Sequence, residues 1–238
     1  MQSTRRRSGR LSAVDTDVVR KAPLFAALDD EAARALIGSM TTSHLERGDV
    51  LFHEGDQGDR LYVISEGKIK LGIISVDGRE NLLAILGPGE MFGELSLFDP
   101  GARTATATAV AETQLIALGN DDLHTFLIDR PAVAANLLAA LARRLRRTNE
   151  ALADLVFTDV PGRVAKALLD LSLRFGRPAD EGILVAHDLT QEELAQLVGA
   201  SRETVNKALA DFATRGWIKL EARAVVLTDV ERLKRRSR

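Results

Sequence analysis

From about Leu45 to Leu118 the chain is cut into short apolar runs, and this punctuation limits its fold more than any other feature. Val50-Leu51-Phe52 stops at Glu54-Gly55-Asp56, and Leu61-Tyr62-Val63-Ile64 stops at Ser65-Glu66-Gly67. Ile69, Leu71 and Ile73 alternate with Lys70 and Gly72 up to Asp77-Gly78, a hairpin-turn signal. Leu82 to Leu86 ends at Gly87-Pro88-Gly89, Thr104, Thr106 and Thr108 alternate with alanines, and Leu115, Ile116 and Leu118 follow. Such runs are strand-length. Their even spacing between turn residues predicts a closed or double-layered antiparallel sheet.

Helical periodicity takes over on either side. Residues 15–40 read as short helices behind a flexible arm, residues 1–14, that carries Arg5-Arg6-Arg7 and Arg10. After the sheet, Asp121 and Asp122 open a short helix; Pro131 suits the first turn of the next, with Asp129 as its cap. That helix runs through Val133, Leu137, Leu141, Leu145, Thr148, Leu152 and Leu155, in steps of 4, 4, 3, 4 and 3 from Leu137. This is coiled-coil spacing and predicts a homodimer seam. Leu138, Ala142 and Val156, on the other side, are expected to cover the sheet. A basic cluster, Arg143-Arg144 with Arg146-Arg147, lies along the same helix. Asp159-Val160-Pro161-Gly162 ends the helix. A further helix carries Val164, Ala167, Leu168, Leu171 and Phe175, and Pro178 to Gly182 reads as a loop.

The carboxyl-terminal part has a tighter signature. Leu194, Ala195, Val198, Ala200, Val205 and Ala208 fall where two crossing helices need apolar or small residues, with Gly199 at the turn. Ser201 can cap the second helix, whose inner stripe is Val205, Leu209 and Phe212. Its opposite side presents Arg202, Glu203, Asn206 and Lys207. Arg202 suits guanine O6 and N7, Glu203 suits cytosine N4, and Lys207 suits a guanine edge or a phosphate. Thr190 and Ser201 are candidate phosphate donors, and Gln191 and Thr204 complete the DNA-facing set. Trp217-Ile218-Lys219-Leu220 and Val225-Val226-Leu227 read as the strands of a wing around Glu221-Ala222-Arg223, with Trp217 in the wing or the domain core.

A second candidate site lies in the strand-rich part. Gly93-Glu94-Leu95-Ser96 is followed, nine residues after Glu94, by Arg103-Thr104. A carboxylate, a guanidinium and hydroxyls on a Gly-rich turn leave two readings open. One is an internal Glu94–Arg103 ion pair. The other is a phosphorylated small ligand whose hydroxyls meet Glu94 and whose phosphate meets Arg103.

Composition excludes several classes. The absence of cysteine removes disulfides, thiolate metal sites and cysteine-ligated clusters. The four histidines lack metal-ligand spacing, and no paired carboxylates or nucleophile–base pair support catalysis, so neither a metal nor an enzymatic role is expected. A net charge of −2 does not advertise nucleic-acid binding, but a local basic face is what counts. No apolar run reaches membrane-spanning length, so no membrane partner is expected and the cytoplasm is the expected compartment.

Gly93-Glu94-Leu95-Ser96-Leu97-Phe98 with Arg103-Thr104, and Ser201-Arg202-Glu203-Thr204-Val205, together resemble the phosphate-binding cassette and recognition helix of the cyclic AMP receptor protein family of bacterial regulators. Phe157 to Ala165 and Gly199 to Lys207 are most similar to its actinobacterial branch. The resemblance implies an α+β chain: a cyclic-nucleotide-binding β-roll, jelly-roll-like, over 15–130, a long dimerisation helix over 131–157 and a winged helix-turn-helix over 158–238. It implies cyclic AMP as effector, with Glu94 on the ribose 2′-hydroxyl, Arg103 and Thr104 on the cyclic phosphate, and Gly93, Leu95 and Ser96 shaping the cassette. Thr148 would take the adenine amino group, joined by Asn149 of the other subunit; the family's usual pair is Thr-Ser. Lys207 stands where the family has arginine. The implied partners are double-stranded DNA with a palindrome similar to TGTGA-N6-TCACA, a second copy of the chain, and RNA polymerase. The alternative is the same fold sensing another effector or binding DNA largely without one.

Overall fold

The computed structural model describes residue 18 and residues 36–75, 78, 80–95 and 101–237. The arm at 1–14, most of the short helices expected over 15–40, Asp77 of the hairpin turn and Ser96 of the cassette lie outside the described residues; of 15–40, residue 18 and residues 36–39 are helical. Two compact units are present, Met1–Ile73 with Ala84–Leu145, and Ile74–Leu83 with Arg146–Arg238.

The first is strand-rich. Its strands are β1 (Thr41–Leu45), β2 (Val50–Phe52), β3 (Arg60–Glu66), β4 (Ile69–Ile74), β5 (Glu80–Leu86), β6 (Met91–Phe92), β7 (Thr106–Ala109) and β8 (Thr113–Gly119), the end of β4 and the start of β5 falling within Ile74–Leu83. They form two four-stranded sheets, ordered β1-β8-β3-β6 and β2-β7-β4-β5. The pairs β1–β8, β3–β8, β3–β6, β2–β7 and β4–β7 are antiparallel. This is the double-layered roll that the punctuation predicts. The apolar runs of β3 and β8 are continuous because both of their faces are covered. Tyr62, Ile64, Leu115 and Ala117 point into the roll with Phe92, Leu71 and Ala107. Leu61, Val63, Ile116 and Leu118 point the other way, into a second cluster with Leu36, Met40, Val133 and Leu137.

Two helices follow, α1 (Asn120–Asp129) and α2 (Pro131–Phe157). The helix α1 extends to Asp129, and Arg130 stands between it and α2. The 27 residues of α2 give a rod about 40 Å long. Its sheet-covering face also differs from expectation. Val133 and Leu137 are buried on the sheet with Leu141 packed beside them, so the start of the seam does the covering. Leu138 is 66% exposed and Val156 74% exposed. The i, i+4 row through Val133 fits the ridge of β3 and β8 side chains, and Leu138 is turned away from that row.

The second unit carries α3 (Val160–Phe175), β9 (Gly176–Ala179), β10 (Gly182–Ala186), α4 (Gln191–Val198), α5 (Arg202–Thr214), β11 (Ile218–Glu221), β12 (Ala224–Leu227) and α6 (Val230–Arg236). Asp159 caps α3, its carboxylate accepting from Gly162 N at 2.9 Å, with Pro161 in the first turn. Buried Val164, Ala165, Leu168 and Leu171 make α3 the spine on which α4, α5, α6 and β10 pack. The loop expected over Pro178–Gly182 is instead a hairpin. Pro178 lies in β9 opposite Ile183, and only Asp180 and Glu181 turn the chain. β9 is the edge of a sheet ordered β11-β12-β10-β9, the position where a strand tolerates proline. Trp217 belongs to the domain core, its ring stacked 5.4 Å from that of Phe212.

Candidate effector and nucleic-acid sites

Gly93 leaves β6 with φ at +80°. A side chain there would be strained, and its Cβ would fall 2.7 Å from Arg103 Nη1 and 2.9 Å from the Arg60 carbonyl oxygen. The glycine therefore lets the Arg103 guanidinium lie against the backbone. Arg103 is only 6% exposed. Its Nη2 donates to Arg60 O at 2.9 Å and its Nη1 to Gly93 O at 3.1 Å. Its own N–H donates to Asp56 O at 2.7 Å, and its carbonyl accepts from Gly55 N at 2.8 Å, so the main chain is held as firmly as the side chain. Burial draws its pKa below the usual arginine value, against the opposing pull of Tyr62, Asp59, Asp56 and Glu94. It stays charged, because a guanidinium does not deprotonate in proteins.

Glu94 is 1% exposed. Its Oε1 accepts from Arg144 Nη1 at 2.5 Å. The carboxylate is thus held by a residue of α2, and the internal Glu94–Arg103 ion pair is not what forms. Its Oε2 is buried without a hydrogen-bond partner among the described residues. In the sequence Arg144 is only one member of a basic cluster; fifty residues separate it from Glu94, and no local spacing signals the pair. Gly93, Glu94 and Arg103 are therefore brought together. Leu95 is 47% exposed, Thr104 is exposed beside Arg103, and Thr148 and Asn149 are exposed on α2. A buried carboxylate with an open oxygen, close to a buried guanidinium, suits a ligand that offers both a hydroxyl and an anion.

In the second unit, α4 and α5 meet at Gly199, which is left-handed with φ at 68°, as the turn requires. Thr190 caps α4 in a full capping box: its hydroxyl accepts from Glu193 N at 3.1 Å and donates to Glu193 Oε2 at 3.0 Å. The Thr-x-x-Glu pattern was present in the sequence and predicts this box. It engages the hydroxyl that sequence reading gave to a phosphate. Gln191 is the exposed first residue of α4. Ser201 caps α5, accepting from Thr204 N at 3.2 Å, and the two hydroxyl oxygens are 2.8 Å apart.

On α5, Val205, Ala208, Leu209 and Phe212 are buried, and Arg202, Glu203 and Lys207 are exposed. Lys207 Nζ donates to Glu203 Oε1 at 2.6 Å, whereas the Arg202 side chain makes no hydrogen bond or ion pair among the described residues. Asn206 is half-buried, its Oδ1 enclosed without a partner among the described residues. Sequence reading missed Arg163. Its Nε donates to Val198 O at 3.0 Å, Nη2 to Gly199 O at 3.2 Å and Nη1 to Thr158 O at 2.7 Å. One side chain so joins the helix-turn-helix corner to the segment that follows α2. Among the described residues, no group of acidic, histidine or cysteine side chains could hold a metal ion, and no helix is long and apolar enough to cross a membrane.

Residues 42–130 match the family described as cyclic nucleotide-binding domain, and residues 162–236 match the Crp-like helix-turn-helix domain. The chain is 55% identical over 222 residues to a CRP-like cAMP-activated global transcriptional regulator of Mycobacterium tuberculosis, covering 93% of this chain and 99% of that one. It is 40% identical over 202 residues to the cyclic AMP receptor protein of Thermus thermophilus, covering 85% and 90% respectively. A crystal structure of a CRP-family transcriptional regulator, also from Thermus thermophilus, superposes with a TM-score of 0.68 at 30% identity, over 82% of this chain and 96% of the other.

Proposed function

This chain belongs to the CRP/FNR family of DNA-binding transcription regulators and is not an enzyme, and on that premise we propose that it is a cyclic AMP-responsive homodimer acting on a palindrome similar to TGTGA-N6-TCACA. The observation that carries the effector reading is Glu94: a carboxylate 1% exposed, one oxygen bonded to Arg144 and the other enclosed without a partner among the described residues. The ribose 2′-hydroxyl would donate to that oxygen. Arg103 and Thr104 would take the cyclic phosphate, with Leu95 and Ser96 completing the cassette. Thr148 would meet the adenine amino group, and Asn149 of the other subunit would join it.

Dimerisation is supported by α2. Leu145, Leu152 and Leu155 are 62%, 58% and 50% exposed in the single chain, a row of leucines that a second copy would cover. An effector held partly by this row would change how two α2 helices meet. The change would pass through the joint at residues 157–162 to α5. Two such helices would enter successive major grooves, Arg202 and Glu203 reading base edges, Lys207 and Asn206 beside them, and Thr190, Gln191, Ser201 and Thr204 close to phosphates. RNA polymerase in the cytoplasm is the further partner this reading implies.

The test is the anisotropy of a labelled operator duplex titrated with ligand-stripped protein, alone and with cyclic AMP or cyclic GMP. Tighter operator binding with cyclic AMP, and little change on a scrambled duplex, is expected. Binding that no cyclic nucleotide alters, in a protein that gives no calorimetric heat with either, would overturn the effector assignment and leave DNA binding standing.

A further inference from the structure

The guanidinium of Arg103 lies over an aromatic cluster. Its central carbon is 4.3 Å from the centroid of the Phe52 ring and 5.7 Å from that of Tyr62. Phe52 sits 6.0 Å from both Tyr62 and Phe92, and Tyr62 stacks on Phe92 at 5.4 Å, so the ring that faces the cation is itself held by two others. The edge of the guanidinium is fixed separately, by the carbonyls of Arg60 and Gly93. The carbonyls hold two nitrogens at the edge of the group. A ring under the central carbon bears on its plane. It also returns some of the favourable electrostatics that burial takes from the cation, since a guanidinium within about 6 Å of a ring is attracted to its π face.

We propose that Phe52 is a positioning residue for the effector anion, helping to set the plane in which Arg103 meets the phosphate of a cyclic nucleotide. The inference rests on the assignment of the phosphate to Arg103. Phe52 does not touch the phosphate in this scheme; it acts through the cation. A leucine would fill much the same space in the apolar cluster but offer no π face. The distinguishing property is therefore aromaticity, not volume.

The experiment is calorimetric titration of cyclic AMP into wild type, Phe52→Leu, Phe52→Met, Phe52→Tyr, Arg103→Lys and the Phe52→Leu/Arg103→Lys double variant, with melting temperatures measured in parallel. Phe52→Leu should bind about three- to thirty-fold more weakly, the range of one cation–π contact. Phe52→Met serves as the second aliphatic variant if leucine does not fold. Phe52→Tyr should restore affinity to within about two-fold of wild type, since either ring presents a π face. In the Arg103→Lys background, where no planar cation remains, Phe52→Leu should add little further loss. An aliphatic variant that binds as tightly as wild type, or one whose loss is undiminished in the Arg103→Lys background, overturns the role of Phe52 while leaving Arg103 in place. An Arg103→Lys protein with wild-type affinity overturns the phosphate assignment itself, and a wild type that does not bind cyclic AMP overturns both.

Discussion

Replacing Arg144 with glutamine strands a buried carboxylate, and the size of the effect follows from the geometry. Wild-type Arg144 Nη1 lies 2.5 Å from Glu94 Oε1, and Glu94 is 1% exposed with Oε2 already without a partner among the described residues. Removing one member of a fully buried ion pair costs about 3–5 kcal/mol, because the charge left behind is uncompensated in a medium that solvates it poorly. The Arg144 side chain is 42% exposed, so water screens part of the pair. Glutamine can also supply one weaker donor. Discounted for both, the expected loss is roughly 1–3 kcal/mol. Glu94→Gln removes the charge itself, so adding Arg144→Gln to it should cost no more than about 0.5 kcal/mol further. Hydrogen exchange across β3 and β8 in the full-length protein reports the opening of the first unit apart from the second, for wild type, both single variants and the double. Protection in Arg144→Gln equal to wild type would refute the argument, and so would losses that simply add in the double variant.

Leu145→Glu places a charge in the exposed leucine row of α2, where Leu145 is 62% exposed in the single chain, and sedimentation at micromolar concentration should show a lighter species than wild type. A wild type that is itself monomeric contradicts the dimer. Arg202→Ala should lose roughly 1–3 kcal/mol of discrimination at one base pair of each half-site, measured on operators changed one pair at a time at two salt concentrations. Uniform weakening on every duplex, with a shallower salt slope, would make Arg202 a phosphate anchor instead. The Asp159 carboxyl is held below the usual carboxylate range, first by the hydrogen bond from Arg236 Nη2 at 2.6 Å and then by the Gly162 N–H. A depressed carboxyl contributes stability that is present above its unfolded pKa, about 3.9, and is lost as pH falls through the lower folded value. Melting temperatures of Asp159→Asn and wild type should therefore differ at pH 7 and converge in strong acid; a gap that persists undiminished would remove the ionised carboxylate from the explanation.

The residues differ in how far their signals reach along the chain. The roll was legible because each strand declares itself within a few residues, by an apolar run and the glycine or aspartate that ends it. The helix-turn-helix was legible for the same reason: Ala195, Gly199 and Val205 report a close crossing and a left-handed turn through their own size and backbone freedom. Thr190 and Glu193 were equally local and could have been read as a capping box. Other features had no local sign. Periodicity showed that α2 has an apolar row but not which of its residues meet the sheet: Val133, Leu137 and Leu141 pack with β3 and β8, whereas Leu145 is exposed. Pro178 argued for a loop, and only the pairing with Ile183 made it an edge strand. The partners of Glu94 and Arg163 were decided by the assembled fold. Arg144 reaches a carboxylate fifty residues away, and Arg163 reaches carbonyls thirty-five and thirty-six residues away. Sequence alone determines what the chain's own dihedral preferences and periodicity express over a turn or a strand. Which buried charge meets which distant group is settled only when the core closes, because the cost of leaving it unpaired arises only once water has been excluded.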